Sequence, residues 1–447
     1  MRLISLALSA CLAVPLSSFA QSAVSQQTQV QLHGLDPSLR DTSVDPCVNF
    51  FQYACGTWLK RYPIPPDRSS FGIDTQLTEN NNLILKSILE HAGDTSAQRD
   101  ADTQKIGDYY ATCMNTAAID KAALTGLEPA LHRIDALSSV KQLGPLVAEL
   151  QNNGAQALFR LRSEADYKDA RRMIATAAQP RLGLPEKGYY LRTDAKSVAL
   201  RKQYVEHVAR MFTLVGEPAD QAAADASRVL ALETSLATVS LSPEEMRDPA
   251  RLYHPAALVK FRTQLSAFDV DAYLRALGTP AFTSLNIATP AYFDGLNKAL
   301  EQTDVASIKA LLRWNLLHAT PGTALPAALD NEQFAFYGKT LRGQPEQQPR
   351  WKRCVDAVDG ALGEALGRVY VARQFTPQDK TRTTEILRGI ESAMGRDIQQ
   401  LDWMSAPTKA KAEQKLDDVT NKIGYPDTWR DYSSLTIARG DAIGNAR

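Results

Sequence analysis

Six histidines, His33, His91, His132, His207, His254 and His318, are the residues of this chain best suited to hold a metal or move a proton. A zinc site on one helical face needs two of them three to five residues apart, and no pair has that spacing; H-E-x-x-H does not occur. His207 lies beside Tyr204 and Met211 on an apolar helical stripe and reads as a boundary side chain with a satisfied ring nitrogen. Ser242-Pro243-Glu244-Glu245 offers paired carboxylates for acid–base work. Ser followed by Pro and then Glu three residues on is also a capping box, and the helix start is the reading adopted. Gly338-Lys339-Thr340 copies the end of a phosphate-binding loop, but Gln333 stands where the first Gly is required, which leaves an ordinary loop. Gly360, Gly363 and Gly367 miss the dinucleotide fingerprint and read as small residues at a close helix crossing. No G-x-S-x-G elbow presents a serine nucleophile.

The elements that must position these residues read as helices. Ile84, Leu85, Ile88 and Leu89 share one face of a helix from Thr78 to His91 that stops at Gly93, and Leu200, Tyr204, Val208, Met211 and Val215 form a second stripe ending at Gly216. Ile386, Ile390, Met394, Ile398 and Leu401 repeat the pattern from Thr383, and Ser405-Ala406-Pro407 caps a further helix from Thr408 to about Val419. Period-two runs are scarce, so strands are expected to be short and near connections such as Gly278 to Tyr292. The fold class is mainly α.

At 447 residues the chain is long for one core and suggests two or three domains or one multi-segment architecture. Fifty Lys+Arg balance fifty Asp+Glu, so no basic field exists to neutralise phosphates and no nucleic-acid partner is expected. Met1-Arg2, the apolar run Leu3 to Val14 and Ser18-Phe19-Ala20 read as a secretory signal over residues 1–20, cleaved before Gln21. Leu8-Ser9-Ala10-Cys11 also resembles a lipobox, which would attach a lipid anchor at Cys11 and make a membrane-anchored lipoprotein. The apolar segment before Cys11 is very short, and plain export to the periplasm or extracellular space is preferred. No later apolar stretch reaches the roughly 20 residues of a transmembrane helix. Residues 21–34 are polar and read as a mobile arm. Export leaves Cys47, Cys55, Cys113 and Cys354, an even number in an oxidising compartment; three connectivities are open, and the absence of C-x-x-C weakens zinc-ribbon and redox readings.

The run Asp45-Pro46-Cys47-Val48-Asn49-Phe50-Phe51-Gln52-Tyr53-Ala54-Cys55-Gly56-Thr57-Trp58 resembles the opening signature of the neprilysin and endothelin-converting-enzyme family of zinc metallopeptidases. Further matches follow in family order: Leu182-Gly183-Leu184-Pro185 with Tyr189-Tyr190, Phe336-Tyr337-Gly338, Pro349-Arg350-Trp351-Lys352-Arg353-Cys354, Leu401-Asp402-Trp403-Met404, Thr408-Lys409-Ala410-Lys411-Ala412, Ile423-Gly424-Tyr425-Pro426-Asp427 and Trp429-Arg430-Asp431-Tyr432.

The resemblance implies a neprilysin-like peptidase of two mainly helical lobes with few short strands, which admits peptides and small polypeptides and hydrolyses them by zinc-activated water. In the family the H-E-x-x-H helix and its downstream Glu ligand follow the region matching Tyr425 to Tyr432. The expectation is therefore the N-terminal, non-catalytic part of an exported zinc metalloendopeptidase, inactive by itself and holding no zinc, with zinc as cofactor of the complete enzyme. Residues 35–74 would form an arm packing on the catalytic lobe, 75–406 the helical non-catalytic lobe, and 407–447 a segment leading into the absent catalytic lobe. The resemblance also implies a Cys113–Cys354 disulfide and leaves Cys47 and Cys55 without their family partners; a Cys47–Cys55 bridge would depart from the family. The family arginine that helps recognise a substrate's C-terminal end aligns nearer Ser70, so that role is not carried to Arg68, and no residue is assigned to substrate binding. The alternative is a non-catalytic helical module that binds peptides or a partner.

Overall fold

The structure, a computed structural model, describes residues 36–447. The signal segment, the arm over 21–34, Cys11 and His33 lie outside the described residues. The described residues are 62% helical with one small four-stranded sheet, as the periodicity predicts.

Helix starts are encoded locally. Asp100, Asp194, Asp269 and Asp304 each accept a hydrogen bond from the backbone N–H three residues on, opening the helices Ala101–Met114, Ala195–Leu214, Val270–Leu277 and Val305–Ala319. Each carboxylate satisfies an amide that the first helical turn leaves unpaired. Gly278, at φ +74°, then ends the third of these in a left-handed turn that side-chain-bearing residues rarely adopt.

Two cores organise these helices. In the larger, Ala195–Leu214, Ala219–Val239, Pro290–Gln302 and Val305–Ala319 bury Tyr204, Phe212, Phe293 and Trp314 completely. There Phe159 meets Tyr273, Phe268 and Phe293 edge-on at 5.0, 5.5 and 5.7 Å, the geometry that aromatic quadrupoles favour. The smaller core lies where Ile73–Ala92, Ala101–Met114 and Arg350–Gln374 converge on Ile88, Ile106, Val358 and Leu366. Cys113 and Cys354 are bonded within it, their Cα atoms 5.8 Å apart. The C-terminal segment returns to this body, with Tyr432 buried in the smaller core and Ile443 in the larger.

The sheet runs β1-β2-β4-β3, with β1 Arg160–Asp166, β2 Asp169–Ala178, β3 Pro255–Ala257 and β4 Ser284–Ile287. β1 and β2 form an antiparallel hairpin, β2 pairs parallel with β4, and β3 pairs antiparallel with β4. The fourth strand falls in the connection that the sequence indicated. The hairpin does not, because β2 is rich in Arg and Ala, residues without strand preference, and is held by its partners' hydrogen bonds.

Three further expectations are corrected. Gly338-Lys339-Thr340 is no loop but part of a π-helical turn, Phe334–Leu341, continuing helix Ala327–Gln333. Gly360, Gly363 and Gly367 mark no close crossing: a Cβ at Gly360 would meet nothing, at Gly363 only Asp359 of the same helix, and at Gly367 only the Trp429 ring at 3.7 Å. In helix Pro377–Gln400 the stripe of Ile386, Ile390 and Met394 is exposed, and Ile398 is that helix's one buried residue.

Candidate functional site

The segment Pro349–Cys354 starts the helix Arg350–Gln374, where successive side chains fan out by about 100° and so reach different elements. Arg350 donates from Nε to the Cys113 carbonyl and from Nη2 to the Thr323 carbonyl, both at 2.7 Å. Lys352 is fully buried, its Nζ ion-paired to Glu79 and Asp67. Arg353 donates to both Asp330 oxygens at 2.9 and 2.7 Å and to the Gln348 carbonyl at 3.1 Å. Cys354 closes the disulfide. Four residues thus join the N-terminal loop, two helices of the smaller core and the segment beside Gly322.

Next to this junction lies an open cleft of about 610 Å³. Gln333, Gln344 and Gln347 line it, their amide nitrogens donating to the Leu317 carbonyl, the Asp67 carbonyl and an Asp330 carboxylate oxygen. The exposed Arg342 guanidinium in its wall has no ion pair among the described residues. Amide groups beside an exposed guanidinium can hydrogen-bond an extended polypeptide, and Asp330 and Asp356 add carboxylates to the same lining. Among the described residues that line the cleft, no nucleophile is paired with a base.

Beneath the cleft's helices sits a buried polar cluster. Glu233, fully buried, accepts hydrogen bonds from Gly183 N–H at 3.0 Å, Tyr190 Oη at 3.0 Å and Tyr204 Oη at 2.8 Å. Burial outweighs these three donors and pushes its carboxyl up to about 7. His207 is also fully buried, which corrects the boundary position read from its stripe. Its Nδ1 lies 2.8 Å from Glu332, whereas its Nε2 has no partner. Burial pushes His207 below its usual range against the opposing pull of Glu332. His318, packed against Trp314 and Tyr337, is pushed down to about 4 by burial first and His207 second.

The structure separates the other residues that the sequence singled out. Ser242 and Glu245 exchange backbone-to-side-chain hydrogen bonds at 2.7 and 3.2 Å, the reciprocal pattern of a capping box, and Glu245 is further tied to Lys187. Cys47 is exposed and Cys55 half-buried on helix Phe50–Arg61, and both are free thiols. Among the described residues no three His, Cys, Asp or Glu side chains converge as donors for a metal ion, so the donor set does not fit zinc and no step is derived through one. Glu233, Asp330 and Lys352 were missed as site residues. Lys352 was visible only as a member of a motif, and nothing local marks a lysine as buried.

A family model, the N-terminal model of Peptidase family M13, matches residues 46–426. The chain belongs to peptidase family M13. Human endothelin-converting enzyme 1 is 28% identical over 89% of this M13 chain and 52% of its own length, and the bovine enzyme is 28% identical over 97% and 59%. The inhibitor complex of Mycobacterium tuberculosis zinc metalloprotease Zmp1 superposes with a TM-score of 0.86 at 33% identity, covering 92% of this chain and 62% of that one. PepO of Lactobacillus rhamnosis, at 21% identity and a TM-score of 0.79, shares the fold. The M13 chain therefore spans little more than half the length of the relatives that it matches. Among its described residues no helix is long and apolar enough to cross a membrane.

Proposed function

We propose that this M13 chain is the N-terminal, non-catalytic part of an exported neprilysin-like zinc metalloendopeptidase, with peptides as substrates and zinc supplied by a C-terminal part. The match to the M13 N-terminal model over residues 46–426 is the observation that carries this reading. In it the cleft beside Arg342 is a wall of the peptide chamber. The bonded Cys113–Cys354 pair supports export, since such bonds persist in oxidising compartments. A lipid at Cys11 would add a membrane anchor to the same reading.

The test has two arms. A verified 447-residue preparation is expected to bind no stoichiometric zinc and to show no chelator-sensitive peptide cleavage. The DNA beyond the Arg447 codon is expected to encode H-E-x-x-H, in frame or after a frameshift. Cleavage by the isolated chain overturns the first arm. A downstream region without the motif favours the second reading, a helical module that binds peptides or a partner through the amide-lined cleft.

A further inference from the structure

The turn Leu182-Gly183-Leu184-Pro185, a motif that the proposed function leaves unused, forms one wall of a separate cleft of about 520 Å³. Leu241, Pro243 and Met246 add apolar surface, and Arg160 and Arg181 also line it. Both walls are fixed without a ligand. The Gly183 and Leu184 amides donate to Glu233 and to Tyr190 Oη, the latter at 2.7 Å, and Tyr337 Oη donates to the Gly183 carbonyl at 2.9 Å. Gly183 has no room for a side chain there, since a Cβ would stand 1.8 Å from Tyr204 Oη. On the other side the Gln179 side chain clasps the backbone of Leu241, donating to its carbonyl at 3.1 Å and accepting from its N–H at 2.8 Å.

The charges in this cleft do not balance. Lys187 is spent on the Ser240 carbonyl and Glu245, and Glu186 on the Gly188 N–H and Arg192. Arg160 uses only Nε, donating to the Gln179 carbonyl at 3.0 Å, and Arg181, exposed, has no side-chain partner among the described residues. The nearby Glu164 is already paired with Arg162. Burial, followed by the neighbouring guanidinium groups of Arg162 and Arg181, pushes Arg160 below its usual range, a cost that a bound anion relieves.

We propose that this cleft binds an amphipathic carboxylate: an apolar group seated on Leu182, Leu241 and Met246, with its single carboxylate held by Arg160 and Arg181. Planar guanidinium forks match a carboxylate in geometry and charge, and the volume suits a small ligand. The C-terminal residue of a peptide and a short fatty acid share this chemistry.

Calorimetric titration of the full chain with N-acetyl-alanyl-leucine, its C-terminal amide, octanoate and inorganic phosphate tests the site. The free acid is expected to bind at least about tenfold more tightly than the amide, and Arg181→Gln to lose about tenfold with unchanged helical circular dichroism. Met246→Asp should weaken the acid further. Tighter binding of the leucine acid than of octanoate names a peptide C-terminus as the source, and the reverse order a fatty acid. Equal binding of acid and amide, binding of neither acid, or phosphate binding as tightly as the acid with no effect of Met246→Asp overturns the proposal.

Discussion

Lys352 Nζ lies 2.7 Å from Glu79 Oε2, an ion pair that bridges helix Arg350–Gln374 to helix Ile73–Ala92, with Asp67 at 3.1 Å on the same ammonium. Arg68 shares Glu79 through Nε at 2.8 Å. Lys352 has 1% of its surface exposed, and both carboxylates face its buried ammonium. Lys352→Met leaves Asp67 and Glu79 without that cation and is expected to cost about 3–5 kcal/mol in urea unfolding. The double variant with Glu79→Gln should recover part of that loss. A single variant as stable as the parent would show that the network contributes nothing.

The disulfide closes a loop of 241 residues' separation. By the chain-entropy account such a crosslink is worth about 5 kcal/mol, so Cys354→Ser should lower stability by several kcal/mol, whereas Cys47→Ser, at an exposed free thiol, should stay within about 0.5 kcal/mol. Non-reducing peptide mapping should recover Cys113 joined to Cys354. A bridge from Cys113 to Cys47 or Cys55 in folded protein would contradict the arrangement.

Glu233 gives stability a pH dependence of definite sign. Its folded value of about 7 lies above the ordinary 4.5, so between these values the folded state binds more protons than the unfolded. Stability from this group is therefore greatest below 4.5, falls as pH rises toward 7, and levels off above it, by about 3 kcal/mol in all. Glu233→Gln should flatten that slope in denaturation midpoints taken from pH 4.5 to 8. An unchanged slope would assign the dependence to other groups.

Ile390 stands on the exposed stripe of helix Pro377–Gln400. Replacing it with Glu removes no core contact in this chain, and the unfolding free energy should move by no more than about 0.5 kcal/mol. A loss of 2 kcal/mol or more, on the order of a core truncation, would mean that the stripe is covered in solution.

Helix positions were largely legible because their signals are local. Asp194 caps Ser197 three residues away, and the Leu200 to Val215 stripe lies within one helix, so neither needs knowledge of the rest of the chain. The same stripe placed His207 at a boundary, when Phe336 and Tyr337 from over a hundred residues on stack around its ring and bury it. The hairpin β1–β2 was missed for a like reason, since its pairing overrides the weak preferences of its own residues.

The sequence by itself determined which segments become helix, where many of them begin and end, and membership of the M13 family, because capping, periodicity and motif identity are written within a few residues of one another. Tertiary structure alone decided that Lys352 is buried against Glu79, that Glu233 gathers two phenols and an amide, that the Arg160 and Arg181 guanidinium groups share one cleft, and that the Ile386 to Met394 stripe is left open. Burial and ionisation depend on which distant residues displace water from a side chain, and no window of the chain records that.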